Sequence, residues 1–239
     1  MNRDFQSLIK RTLREYAETL FLALVLALLL RLFVVAAYRV SNPTMVPNLK
    51  VGDFIVGWKL PYGFEIPFTE KKVGRPQPKR NQVLIFKCPF DTSKSCIKRV
   101  VALPGDRVQI LKKKLLINGR VSTYEALPKG QLSQATVDLI SPPKEAALLV
   151  EKSGAARRKI LITSDELDEK YGPLIVPPGH FFVLSDFRDQ KEDSREWGVV
   201  PFDLIEARAL FVWFSIDWSP SLNNDAPRIR WNRILDVVR

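Results

Sequence analysis

A chain of 239 residues holds one ordinary domain, or one domain plus a membrane anchor. Its formal net charge of +11 suits an anionic lipid surface or a nucleic acid, but no RNA- or DNA-binding motif accompanies the charge, so nucleic acid is not expected as a partner. There is a single histidine, the two cysteines form no CxxC, and no His/Cys/Asp cluster has ligand spacing, so neither a metal nor a cofactor is expected.

The leading segment, residues 1–18, carries Arg3, Lys10, Arg11 and Arg14; basic residues beside a first span tend to stay cytoplasmic. From Thr19 to Tyr38 the chain reads TLFLALVLALLLRLFVVAAY, apolar but for Arg31. About twenty such residues cross the hydrocarbon core of a bilayer as a helix. A secretory signal peptide has a shorter apolar core, ~7–15 residues, closed by a small-residue cleavage site. Here Ala36-Ala37 lead into Tyr38-Arg39, so a retained transmembrane helix over 19–38 is expected, with Arg31 snorkelling to the outer interface. Residues 39–239 then lie on the extracytoplasmic side of a plasma membrane, next to its lipid.

Past the anchor the pattern is mostly β: DFIVGWKL, QVLIFKCP, CIKRVVAL, DRVQIL, KLLINGRV, KILIT, HFFVLSD and ARALFVWFSI recur between Gly, Pro and Asn punctuation. Asn118-Gly119 is the strongest short hairpin signal. Residues 124–171 are polar and of mixed charge, with Pro142-Pro143, and read as a smaller subdomain inserted into the β domain. Cys88 and Cys96 flank PFDTSKS; a bridge and two buried thiols are both compatible with that spacing. The closing RIRWNRILDVVR is basic and amphipathic and is expected to pack on the sheet.

For chemistry, His180 in VPPGHFFVLSD reads as a turn or strand-start residue rather than a base, and no G-x-S-x-G elbow is present. Lysine remains as a base, because burial disfavours its charged form and a neutral lysine can take a proton from a hydroxyl. Lys98 lies inside an apolar strand pattern, CIKRVVAL, and reads from the residues alone either as an exposed edge-strand lysine or as a buried base, whereas Lys112 to Lys114 read as a solvated charge run.

Three stretches carry a resemblance. VSNPTMVPNLKVGD is similar to a P-S-x-S-M-x-P-T-L-x-x-G-D box, and CIKRVVALPGD to Y-I-K-R-V-V-G-L-P-G-D. VPPGHFFVLSDFRDQKEDSREWGVVP is similar to V-P-x-G-x-Y-F-x-x-G-D-N-R-D-N-S-x-D-S-R-x-W-G-x-V-P. Taken in order, with LLINGRV as the intervening hairpin, they resemble bacterial signal peptidase I. That family comprises membrane-bound serine proteases whose Ser/Lys dyad removes signal peptides from exported preproteins.

The resemblance implies an antiparallel β domain behind one transmembrane helix, Thr44 as the nucleophile and Lys98 as the general base. It implies an oxyanion site from Asn42 and the Thr44 amide. Met45, Leu49, Cys96 and Ile97 are implied along substrate pockets, and Asp189, Asp193, Ser194 and Arg195, with Arg188, as a brace for the lysine strand. The departures cluster at the chemistry. Thr44 and Asn42 stand where the family has serines, and Ser185-Asp186-Phe187 stand for Gly-Asp-Asn. Lys191 replaces the serine that hydrogen-bonds the catalytic lysine, so that bond is expected to weaken or vanish. Two expectations follow: an active Thr/Lys signal peptidase, or an inactive paralogue that binds signal peptides or a secretion partner without cutting.

Overall fold

In a computed structural model of the chain, residues 3–65, 69, 72–74, 77–128, 146–154, 156–163, 170–218 and 227–238 are described. A helix runs over Arg3–Leu29 and continues as a wider, π-type turn over Leu30–Val34. Its part from Thr12 to Val34 has mean hydropathy 2.3, is long and apolar enough to cross a membrane, and buries none of that window against the rest of the protein. The helix stops four residues before the end expected from hydropathy. Val34-Val35 are β-branched and stiff in a helix, and Val35–Arg39 instead pair antiparallel with Asp53–Trp58. Lys59 ties off the freed carbonyls: its N–H donates to Val34 O at 2.9 Å and its Nζ to Leu32 O at 2.8 Å.

The main sheet is antiparallel, in the spatial order Val35–Arg39, Asp53–Trp58, Ile205–Asp217, Val83–Cys88, Asp91–Ala102, His180–Leu184, Val200–Pro201, with Arg228–Ile229 beside Ile205–Asp217. The mostly β expectation therefore holds. A four-stranded sheet orders Lys170–Ile175, Arg107–Leu111, Lys114–Ile117 and Arg120–Val121, and its last hairpin turns at Asn118-Gly119, both with positive φ. A three-stranded sheet of Thr123–Ala126, Ala146–Ser153 and Ala156–Thr163 falls in the stretch read as an insertion; Pro142-Pro143 lie outside the described residues.

Three of the apolar clusters among the described residues hold most of the strands. One joins Val40, Met45, Leu49, Ile55, Val83 and Ile85, a second Leu84, Phe86, Val100, Phe181 and Val183, and a third packs the four-stranded sheet on Phe182 and Leu184. Cys88 and Cys96 are bridged, closing the hairpin between two neighbouring strands. His180 begins its strand, as read. The C-terminal segment packs on the sheet through ion pairs as much as apolar contact: Arg233 reaches Asp53 Oδ2 at 2.5 Å and Asn48 O at 2.9 Å.

One member of the charge run departs from expectation. Lys112 and Lys113 form a tight turn with φ of 49° and 62°, which swings Lys113 inward, where its Nζ donates to Asp189 Oδ1 at 2.6 Å and Thr163 O at 2.9 Å. Lys113 is thus a buried tie between sheets rather than part of a solvated face.

Gly57 sits where three strands of the main sheet pack closely. A Cβ there would stand 2.8 Å from Tyr38 Cε2, 2.9 Å from Ala207 Cβ and 3.1 Å from Ile85 Cδ1. Gly57→Ala is expected to cost about 1–3 kcal/mol through overpacking, read as a lower urea midpoint of the detergent-solubilised protein. An unchanged midpoint would contradict this packing.

Candidate active site

Lys98 sits in Asp91–Ala102, whose inner half is apolar and buried, and its side chain is 2% exposed. Taking an ammonium out of water is costly. Burial accordingly lowers its pKa from 10.5 to about 8; Asp193 and Glu192 pull it back up, Arg195 pulls it down and Asp186 up. About a tenth of the amine is therefore neutral at pH 7, against well under a thousandth for an ordinary lysine. Lys98 Nζ donates to Ser185 Oγ at 3.1 Å, with Ser185 itself fully buried.

Ser185 is fixed on both sides of its peptide. Its N–H donates to Asp193 Oδ2 at 2.9 Å, and its carbonyl accepts from Arg188 Nε at 3.1 Å. Asp193 caps the short helix Ser194–Trp197 and is clamped by Arg195 Nε at 2.9 Å and Nη2 at 2.7 Å. Ser194 Oγ accepts from Val183 N at 3.0 Å. So Asp193, Ser194 and Arg195 converge on the segment facing Lys98. Asp189 does not: it takes Lys113 and the Thr163 N–H, bracing neighbouring sheets.

Thr44 lies in a single turn, Pro43–Met45, closed by Val46 N–H on Pro43 O at 3.1 Å. Proline presets the turn's φ, and the residues after it anchor in the core. Met45 and Leu49 are buried there, beneath the partly buried Ile97, instead of lining open space. Thr44 O accepts from Phe187 N at 2.9 Å, two residues from the Ser185 that holds the lysine. That contact docks the turn on the segment that positions Lys98. Thr44 Oγ1 donates to Asn42 Oδ1 at 3.1 Å. Among the described residues no hydrogen bond joins Thr44 to Lys98.

Asn42 and Lys98 share a groove of about 860 Å³, bounded by Tyr38 and Arg39 on one strand and Cys96 and Ile97 on the other. The first of these strands lies at the edge of the main sheet. Among the groove residues that the sequence reading did not single out are Phe90, Lys94, Glu192 and Glu196. Phe90 and Trp197 are tilted against each other at 6.4 Å, with the Cys88–Cys96 bridge in the same lining.

The family described as Signal peptidase, peptidase S26, matches residues 13–214. Signal peptidase I of Pseudomonas fluorescens is 37% identical over 216 residues, covering 84% of this chain and 72% of that one. Signal peptidase I of Pseudomonas aeruginosa is 33% identical over 225 residues, covering 88% and 75%. That of Aquifex aeolicus is 29% identical over 230 residues, covering 85% of each. The chain belongs to the signal peptidase family.

The hydroxyl facing the lysine is not at the position expected from the resemblance. The position read as the serine partner of the lysine is Lys191, which is exposed, while Ser185 occupies the expected glycine and supplies the oxygen. The register explains it: Leu184 pairs with Arg99, so residue 185 falls beside Lys98. Reading the two departures, Ser185 and Lys191, as one exchange would have found the bond from sequence.

Arg99 points to the opposite face of the lysine strand and makes a two-pronged pair with Asp186, Nε–Oδ1 2.7 Å and Nη2–Oδ2 2.6 Å, both side chains 1% exposed. Asn48 Nδ2 adds a third donor to Asp186 at 2.7 Å. Arg99→Met strands a buried carboxylate and is expected to cost about 3–5 kcal/mol, measured by denaturant unfolding. A loss below about 1 kcal/mol, typical of an exposed pair, would contradict the buried assignment.

Proposed function

We propose that this signal peptidase hydrolyses signal peptides of exported preproteins through a Thr44/Lys98 dyad. The observation that carries the reading is Lys98: a lysine buried beside a groove, with a depressed pKa and a fixed hydroxyl partner. An extended substrate strand fits between the edge strand Val35–Arg39 and the lysine strand, by strand addition.

Neutral Lys98 accepts the Thr44 Oγ1 proton as that oxygen attacks the scissile carbonyl carbon. The hydroxyl must first rotate away from Asn42 Oδ1. The resulting oxyanion faces the Thr44 N–H and the Asn42 amide nitrogen, since the amide oxygen is the end that meets Thr44. Protonated Lys98 then gives its proton to the leaving amine, releasing the mature chain and leaving an ester on Thr44. Water, deprotonated by Lys98, hydrolyses the ester and frees the signal peptide. Cys96 and Ile97 serve as groove walls beside the substrate, with Met45 and Leu49 supporting Ile97 from below.

The same reading puts the short basic N-terminal segment in the cytoplasm, the apolar helix across the plasma membrane, and the β domain with its inserted subdomain at 124–171 outside, against the lipid. The long apolar helix feeding directly into the edge strand of the groove supports that arrangement. A substrate emerging from the bilayer meets the groove at that height.

Thr44→Ala is expected to reduce cleavage of a purified preprotein by about 1,000-fold or more, given loss of the nucleophile. Thr44→Ser removes a methyl that stiffens χ1 and is expected to cut at least as fast as the parent protein. If neither the parent nor Thr44→Ser cuts while both retain signal-peptide binding, the chain is a binding paralogue and the dyad reading fails.

The base must be uncharged to act, and Lys98 loses its proton as pH rises through about 8. Cleavage kcat/KM is therefore expected to rise about tenfold per pH unit below that value and to level above it. A profile flat from pH 6 to 9 would rule out Lys98 as the base.

A further inference from the structure

We infer that Glu151, on the three-stranded sheet beside the site, is a positioning residue: through Arg188 and Ser185 it fixes the acceptor that aims the Lys98 amine. The inference rests on Lys98 being the general base. Glu151 is fully buried and accepts from Arg188 Nη1 at 2.9 Å on Oε1 and from Nη2 at 2.5 Å on Oε2. Tyr124 Oη adds a hydrogen bond at 2.8 Å, and Arg158 Nε a further ion pair. The third nitrogen of Arg188, Nε, donates to Ser185 O, and Ser185 Oγ accepts from Lys98. One planar guanidinium thus joins a carboxylate of one sheet to the backbone of the residue facing the lysine. Its fork geometry transmits position as well as charge.

Glu151 is the carboxylate placed to do this. Asp186 is held by Arg99 and Asn48, Asp193 by Arg195 and the Ser185 N–H, and Asp189 by Lys113. Burial works against a charge on Glu151, but the Arg188 and Arg158 guanidiniums outweigh it and hold the carboxyl at about 2, so it is ionised at any working pH. The neighbouring backbone is registered to the same sheet: Leu161 N donates to Asp186 O and Arg188 N to Leu161 O, each at 2.9 Å. Without Glu151, Arg188 has no fixed seat for its fork, and Ser185 loses the donor on its carbonyl. A shift of about 1 Å in such a group can cost about 100-fold in rate.

Two readouts separate positioning from mere stability. Removing an acceptor from an ammonium disfavours the charged form, so Ser185→Ala should lower the titration midpoint of Lys98. Asp193, Glu192, Arg195 and Asp186, the other charged groups acting on Lys98, are untouched by these substitutions. The experiment is competitive labelling of Lys98 with a small amine-reactive reagent across pH, read by mass spectrometry on the full-length protein in detergent, beside preprotein cleavage. Glu151→Gln is expected to lower the Lys98 midpoint as Ser185→Ala does, making about three- to tenfold more amine reactive at pH 7, while kcat falls about 10- to 100-fold and KM stays near the parent value. Combined Glu151→Gln/Ser185→Ala should move no further than Ser185→Ala alone. Arg188→Lys keeps the charge beside Glu151 but cannot span both its oxygens and Ser185 O; it should behave like Glu151→Gln and serves where the latter does not fold. A folded Glu151→Gln or Arg188→Lys protein with the parent's Lys98 midpoint overturns the inference, as does an additive double variant. Labelling needs no turnover, so failure of the dyad reading, seen as cleavage that survives Thr44→Ala, is registered separately.

Discussion

The structure depends on burying one amine among many paired charges, so that it gives up its proton near pH 8 instead of 10.5. Lys98 is surrounded by ionised groups, and an unpaired carboxylate aimed at it would restore its proton. Three buried acids around it are instead committed to arginines, Asp186 to Arg99, Asp193 to Arg195, Glu151 to Arg188 and Arg158, while Glu192 on the groove pulls the lysine's pKa up. What faces the lysine directly is a neutral hydroxyl, Ser185. Buried ion pairs seldom add much net stability, but breaking one is expensive, so they hold positions well. Here they hold the segment between Ser185 and Arg195, and with it the lysine.

That commitment also explains how distant segments of the chain come together. The turn bearing Thr44 docks on Phe187 through its carbonyl, and the strand bearing Arg99 reaches Asp186 next to it. Leu161 bonds the same segment from another sheet. Three parts of the chain, far apart in sequence, thus converge on residues 185–188. The apolar helix enters the same construction from the other side: its last carbonyls are bonded by Lys59, and the strand after it forms an edge of the groove. The apolar helix and the groove's edge strand are one continuous run of chain.

Much of this was legible in the residues. Apolar runs between turn signals gave the strands, Asn118-Gly119 turned where its left-handed preference requires, and Lys98 stood out as a lysine inside an apolar strand. The less legible parts depend on partners far away in sequence. Hydropathy could not see that Val35–Arg39 would leave the helix for the edge of Asp53–Trp58, because an apolar strand and an apolar helix read alike over a few residues. Lys113 looked like one of three solvated lysines until the turn's positive φ aimed it at Asp189. Ser185 looked like damage to a motif, and only the register with Arg99 makes it the lysine's partner. The closure of Cys88 on Cys96 rested on geometry that spacing does not fix. Glu151 had no local mark at all: a single acid in a mixed-charge stretch becomes buried only when Arg188 and Arg158 arrive from elsewhere.

The most direct test is the charge state of the lysine itself. Titration of Lys98 by NMR in full-length protein carrying isotope-labelled lysine, with the signal assigned by its loss in Lys98→Met, should give a midpoint near 8. A midpoint at the ordinary lysine value of 10.5 would mean that the amine is solvated and charged, and the account of a buried base would be wrong.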